Sequence, residues 1–465
     1  MELLNVAILS SKPLFLSMIL LFSLLIWLKL AKRKTLNLPP SPPRLPIIGN
    51  IHQLGKLPHR SLRDLSRKYG SLLLLQLGYN PTVVVSSADI VREIVKNHDI
   101  VFSNRPRTTA VDILFYGCKD MAFAPYGEYW RQVKKISVVE LFSHRRVHSF
   151  QFVRDEEVEL LINKIRSASL KGQSINLSEM LTSVFSNIVS RCVLSHKSED
   201  EDGCSKFGKL AKRLMILFTS FCIGDMFPYL RWLDVVTGYI PSLKAVNEEF
   251  DAFFDQVLQE HRALESDDQV SDRKDFVSII MQLQKDGMYE MDLTQDNIKA
   301  ILLDMFVGGT DTSTTTTEWM MAELLKHPNA MKKVQEEVKN VVGNKSKVDM
   351  EDISKMEYLK CVIKETLRLH PRDPKWWEKP EEFIPERFEN SSIDFKGQDF
   401  QLIPFGFGRK GCPGMPFGVA SVEYVMANLL YWFDWKLPAG QNANNLDMTE
   451  LYGLTVNKKI PLHAF

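Results

Sequence analysis

One large, mainly α-helical domain with small β-sheets is the fold class that this sequence predicts, and three observations predict it. Apolar residues recur at helical spacing over 150–168, 245–265, 295–325, 330–342, 355–370 and 417–433, the period of helices that bury one face. Apolar runs at 72–77 and 82–86 flank Gly78-Tyr79-Asn80-Pro81, which predicts a β-hairpin. Beyond residue 50 no second linker, internal repeat or low-complexity block divides the chain, so 51–465 reads as one body. Length alone would have allowed up to three domains in 465 residues.

Composition bounds the function. Apolar residues make up 45% and charged residues 25%, values of an ordinary globular chain that exclude wholesale disorder. A net charge of +1 gives no electrostatic footprint for nucleic acid. The six cysteines, at 118, 192, 204, 222, 361 and 412, have no paired spacing. They form neither a disulfide framework nor a zinc site, and they fit a reducing, cytosol-facing body.

Residues 13–28 carry no charge, Trp27 stands near the end of the run, and Lys29, Lys32, Arg33 and Lys34 follow. A helix of about 18 such residues spans the ~27 Å core of the endoplasmic reticulum bilayer, with an interfacial aromatic and with positive charge kept cytoplasmic. A cleaved signal peptide would need a basic region before the run and a small-residue site after it, and neither is present. The expectation is a single-pass membrane anchor helix over 1–30, with the body in the cytosol. Five prolines between Pro39 and Pro46 favour stiff polyproline geometry, so 31–50 reads as a basic, proline-rich hinge. The acidic cluster 199–203 reads as a solvated loop.

In the body, 300–307 is apolar nearly all round and runs into Gly308-Gly309-Thr310-Asp311-Thr312-Ser313. Glycines and hydroxyl residues are poor helix formers, so a local widening of an interior helix is expected, with a capped helix end as the alternative. Lys364-Glu365-Thr366-Leu367-Arg368 places Glu365 and Arg368 on one helix face, ordinarily a surface ion pair. Leu359, Val362, Ile363, Leu367 and Leu369 allow that face to be buried instead. Trp130-Arg131-Gln132-Val133-Lys134 sets an indole donor and a cation one turn apart. Finally, Pro404-Phe405-Gly406-Phe407-Gly408-Arg409-Lys410-Gly411-Cys412-Pro413-Gly414 precedes an apolar run over 419–433. Cys412 thus stands just before a helix N-terminus and beside Arg409 and Lys410. Both neighbourhoods are expected to lower a thiol pKa and favour the thiolate, the form that binds metal or attacks carbon.

Phe405, Gly408, Cys412 and Gly414 fall at the spacings of the cysteine-ligand loop of cytochrome P-450s, the haem-thiolate monooxygenases. The chain resembles plant microsomal members of that family, the A-type clan, from the anchor to 448–456. The resemblance implies the family's fold, with a long central helix over haem b, and makes Cys412 the axial iron ligand, whose thiolate favours O–O cleavage. It implies that Gly308 and Gly309 leave room for O2 and that Asp311 and Thr312 relay protons. Trp130, Lys134, Arg409 and Lys410 become candidates near the haem carboxylates. Glu365, Arg368 and Arg387, the last within Phe383-Ile384-Pro385-Glu386-Arg387-Phe388, become a structural triad. Implied partners are O2, a small apolar substrate and, for NADPH-derived electrons, a membrane-bound flavoprotein, the NADPH-cytochrome reductase.

Two kinds of departure stand out. Lys134 and Lys410 occupy positions where the family usually has arginine, which keeps the charge and loses the planar fork. Between Pro371 and Arg372 a segment of several dozen residues is absent, one that in the family supplies sheet strands, pocket wall and a further basic contact. Two rival readings follow: a non-catalytic or truncated paralogue without a complete pocket, and a thiol hydrolase using Cys412 with a distant histidine.

Overall fold

The computed structural model describes residues 17–18, 20–24, 37–195, 206–265, 275–287, 291–369 and 377–465. Most of the expected anchor, the acidic cluster 199–203 and the seam between 371 and 372 lie outside these residues. Of the anchor, 17–18 and 20–24 are helical. Among the described residues no helix is long and apolar enough to cross a membrane.

The body is mainly helical, with three two-stranded antiparallel sheets among the described residues. The expected helices occur as Gln151–Leu170, Tyr239–Glu265, Pro328–Val342, Glu357–Arg368 and Met415–Trp432. Their bounds agree with the apolar periodicity to within a few residues, because that periodicity is the face each helix buries. Helices Leu177–Leu194, Lys206–Thr219 and Phe276–Asp286 complete the main body. The hairpin pairs Leu72–Leu77 with Asn80–Val85, Leu77 opposite Asn80. Residues 40–50 cover its first strand, where Leu74 N donates to Pro40 O and Asn50 N to Gln76 O. The second strand has no further strand beside it among the described residues, and its Val83 is exposed.

The centre of the molecule is a helix in two pieces, Gln295–Gly309 and Asp311–Lys326. The apolar pattern predicts one helix over 295–325. The interruption at Thr310 has a local cause: two glycines precede it, and the Thr312 hydroxyl donates to Gly308 O at 2.7 Å, a back-bond that competes with the ladder and bends helices. Leu177–Leu194 packs against both pieces. The approach is so close at Gly309 that an added Cβ would stand 2.9 Å from Val189 Cγ2. Met415–Trp432 packs on the second piece and on several further helices, Gln151–Leu170 and Pro328–Val342 foremost, with Val425, Met426, Ala427, Leu429 and Leu430 fully buried. Each large apolar side chain so placed contributes roughly 1.5–3 kcal/mol. This core fixes the central helix and the cysteine helix relative to each other.

Candidate active site at the cysteine loop

Gly406 and Gly408 take positive φ, +72° and +61°, a conformation that costs glycine nothing. These turns fold the loop back on itself, so that Cys412 N donates to Phe405 O at 2.9 Å. The cysteine helix then begins at Met415 with Gly414 as its N-cap. Between this loop and the break in the central helix lies a cavity of about 720 Å³, within the range of small-molecule sites. Cys412 and Gly414 line one side, Gly308, Gly309 and Thr312 the opposite side, and Phe115, Phe123, Phe142, Phe218, Phe276 and Phe417 much of the remainder.

The direction expected for the Cys412 thiol is corrected by the structure. Burial pushes it up, and this outweighs the lowering effects of the Gly414 and Met415 N–H groups, Lys134 and Arg105. Cys412 keeps accessible surface and lines the cavity. Arg409 does not line the cavity; its Nε pairs with Asp99 Oδ2 at 2.9 Å. The cations that do line it are Lys134, Lys410 and Arg105. Lys134 Nζ donates to Gly411 O at 2.6 Å, and burial pushes its pKa down. Lys410 Nζ donates to Ala124 O at 2.7 Å and stands over the Trp130 ring, 4.5 Å from its centroid. Burial first, then Arg105, pushes Lys410 down to about 8. Trp130 Nε1 donates to Met121 O at 3.0 Å, and Arg105 to Ala122 O. Arg105 was not singled out in the sequence, because nothing local ties it to a loop three hundred residues away.

Asp311 and Thr312 are neighbours whose side chains are held separately. Thr312 faces the cavity. The Asp311 carboxylate accepts from the Thr455 hydroxyl, and burial raises its pKa. Thr455, a cavity-lining residue, also escaped sequence reasoning. The triad is closed across the seam: Arg368 donates to Glu365 from Nε at 2.6 Å and from Nη2 at 2.9 Å, and Arg387 Nε donates to Glu365 Oε1 at 3.1 Å. Glu365 and Arg368 are fully buried. Among the described residues no histidine lines the cavity, so none of them stands there as the partner that a thiol hydrolase requires.

The donor set fits a large, flat, dianionic group with a metal: one sulfur facing an open cavity, three cations and an indole in its lining, and glycines where a bulky partner needs room. The comparisons agree. The cytochrome P450 family model matches residues 39–371 and 372–464. A phenylacetaldehyde oxime monooxygenase of Prunus mume is 52% identical over 471 aligned positions, covering 93% of this chain and 89% of that protein. Cytochrome P450 71A1 of Persea americana is 49% identical, covering 89% of this chain and 90% of that protein. Desmethylyatein synthase of Sinopodophyllum hexandrum is 45% identical, covering 92% and 93%. The Prunus alignment is longer than this whole chain although it uses only 93% of it, so that relative carries residues this chain lacks. A zebra fish cytochrome P450 solved with progesterone superposes with a TM-score of 0.74 at 23% identity, over 88% of this chain and 98% of that one, a likeness of fold. On the match of nearly the whole chain and the identity to these plant proteins, the chain belongs to the cytochrome P450 family and is an oxygenase of its plant A-type.

Proposed function

We propose that the chain is a membrane-anchored haem-thiolate monooxygenase that inserts one atom of O2 into a small, apolar, preferably aromatic plant metabolite, using NADPH-derived electrons delivered by a flavoprotein reductase. The carrying observation is the cavity itself, with Cys412 on one side, Thr312 on the other and a phenylalanine-rich wall between them. Aromatic walls reward flat apolar ligands, and relatives are named for an oxime and for strychnine.

Cys412 Sγ would hold the iron of haem b, and Lys134, Lys410, Arg105 and Trp130 would meet its carboxylates. Metal binding takes the sulfur as thiolate and releases its proton, which offsets the burial that keeps the free thiol protonated. When bound, the haem supplies the redox chemistry that activates O2. The residues of the chain position and protonate. The Thr312 hydroxyl holds a proton at the cavity face, with Gly308 O as its present acceptor. The Asp311 carboxyl, its pKa raised by burial, can carry a proton next to it, with Thr455 as hydrogen-bond partner. The phenylalanines exclude water, which keeps proton delivery to these groups. Arg409 serves the loop through Asp99 in this reading.

A second hollow, of about 540 Å³, lies against the cysteine loop and is lined by Arg92, Lys96 and Lys396 as well as Cys412. Positive charge there supports docking of an acidic electron donor. The anchor reading gains support from exposed apolar side chains beside the hinge: Ile47 and Ile48, then Tyr79 against Tyr229 with ring centroids 5.7 Å apart, then Trp232 and Val236. Such a patch suits a membrane surface, here that of the endoplasmic reticulum.

The test is the carbon-monoxide difference spectrum of the reduced, expressed protein. Cys412→Ser should lose the thiolate-type band, and substitution of Cys118, Cys192, Cys204, Cys222 or Cys361 should leave it. Loss of the band on changing one of those five, with Cys412→Ser unaffected, would assign the ligand elsewhere.

A further inference from the structure

The cavity has a roof that brings two carboxyl groups together, Asp120 fully buried behind it and Asp304 on the cavity face. Loop 119–124 contributes Met121, Ala122 and Phe123 to the lining, and the central helix contributes Asp304. Asp304 Oδ2 accepts from Met121 N at 2.7 Å, and Asp120 Oδ2 accepts from Phe123 N at 2.9 Å. Asp120 is fully buried, and its other oxygen, Oδ1, has no hydrogen-bond partner. The amide that Asp304 accepts from, Met121 N, is the one joined to Asp120, so the two acids are neighbours across the loop. Among the described residues no salt bridge to either acid occurs. A buried acceptor without a donor costs about 1–3 kcal/mol, and two adjacent carboxylates without a cation cost more.

We propose that Asp120 and Asp304 hold one proton between them and so form a latch that fastens loop 119–124 to the central helix as the roof of the cavity. A single proton supplies the donor that Asp120 Oδ1 lacks and removes the like-charge contact, which accounts for both oddities at once. The titration agrees with the geometry: burial pushes Asp120 up to about 6, and burial, then the charge of Asp120, pushes Asp304 well above the usual carboxylate range. Both acids act as positioning residues here. They shape the cavity through Met121 and Phe123 and need not touch the substrate.

Other groups face this pair. Lys410 and Arg105 donate to the loop carbonyls of Ala124 and Ala122. Tyr129 donates to Lys119 O and accepts from Asn297. Lys119 pairs with Asp296, and Cys118 precedes the loop. Lys410 partly offsets the upward shift of Asp120 and is itself pushed down to about 8 by burial. Since both folded pKa values are raised, the sign is fixed. The pair loses its first proton at the lower step, which leaves the shared proton of the latch, and the latch weakens as pH rises through the upper step, when that last proton leaves and the two charges repel.

Hydrogen exchange of a peptide spanning 115–127, in the haem-loaded full chain from pH 6 to 8.5, tests the latch without reference to catalysis. After correction for intrinsic chemistry, opening in the wild type should increase up to about tenfold per pH unit in the titration window. Asp304→Asn keeps an acceptor for Met121 N and offers Asp120 a permanent donor, so its roof should stay protected across the range. Asp120→Asn serves the same purpose should Asp304→Asn fail to fold. A wild-type roof with no pH dependence, or an asparagine variant that keeps the wild-type slope, would overturn the proposal. The second result would assign the titration to Lys410, which both variants retain.

Discussion

Adjacent Gly308 and Gly309 have opposite constraints. An added Cβ on Gly308 meets nothing within 4 Å, whereas on Gly309 it stands 2.9 Å from Val189 Cγ2. Gly308→Ala should therefore leave stability unchanged or raise it by about 0.5–1 kcal/mol through helix propensity. Gly309→Ala should cost ~1–3 kcal/mol as the two helices are forced apart. Urea midpoints of the two variants check this, and equal midpoints would mean that the close approach at Val189 carries no strain. At this scale the sequence was legible where chemistry is local. Cys412, Thr312, Trp130, Lys134 and Lys410 all line the cavity. It was illegible where direction matters: Arg409 and Lys410 are neighbours in sequence, yet one turns to Asp99 and the other to Ala124 O. The thiol was misjudged for the same reason, since helix termini and charges can be read from letters and burial cannot.

At the scale of elements, the triad ties the helix Glu357–Arg368 to the turn Pro385–Phe388. Glu365 accepts from Arg368, Arg387 and Ile384 N, and Arg368 also donates to Pro380 O and Glu382 O. Removing the acid strands a buried guanidinium, which costs ~3–5 kcal/mol out of a typical margin of about 5–15 kcal/mol. Glu365→Ala should thus abolish most soluble, haem-loaded protein, as measured by haem per polypeptide after expression. Wild-type loading in that variant would reduce the triad to an incidental contact. Helix positions were legible because a buried face repeats every 3.6 residues. The break at Thr310 was legible only as a weak spot, because a back-bond from Thr312 to Gly308 O depends on a rotamer. The roof pair Asp120 and Asp304 was not legible at all: acids far apart in sequence reveal nothing until the fold places them together.

For the molecule as a whole, the family model breaks between residues 371 and 372, and the question is what the body does without a longer connection there. The triad closes without it, but the strand Asn80–Val85 presents an edge with Val83 exposed, and open edges invite aggregation. The chain as written should load less haem per polypeptide than a version carrying a homologous segment after Pro371. Equal loading and equal turnover would dismiss the gap as harmless. Topology is tested in microsomes, where an epitope at Phe465 should be digested by added protease without detergent; its protection would place the body in the lumen. The fastening of the central helix to the far end of the chain has one more consequence. Thr455 donates to Asp311, Trp319 Nε1 donates to Val456 O at 2.7 Å, and His463–Ala464 pairs with Ile175–Asn176. A ribosome makes Asp311 and Cys412 well before it makes these partners. During synthesis Asp311 is without its clasp until Thr455 has emerged, although the packing of Met415–Trp432 on the second piece of the central helix does not wait for it. Fastening of Asp311 is therefore an event that follows translation of the cysteine loop, and its timing is set by the order of the gene.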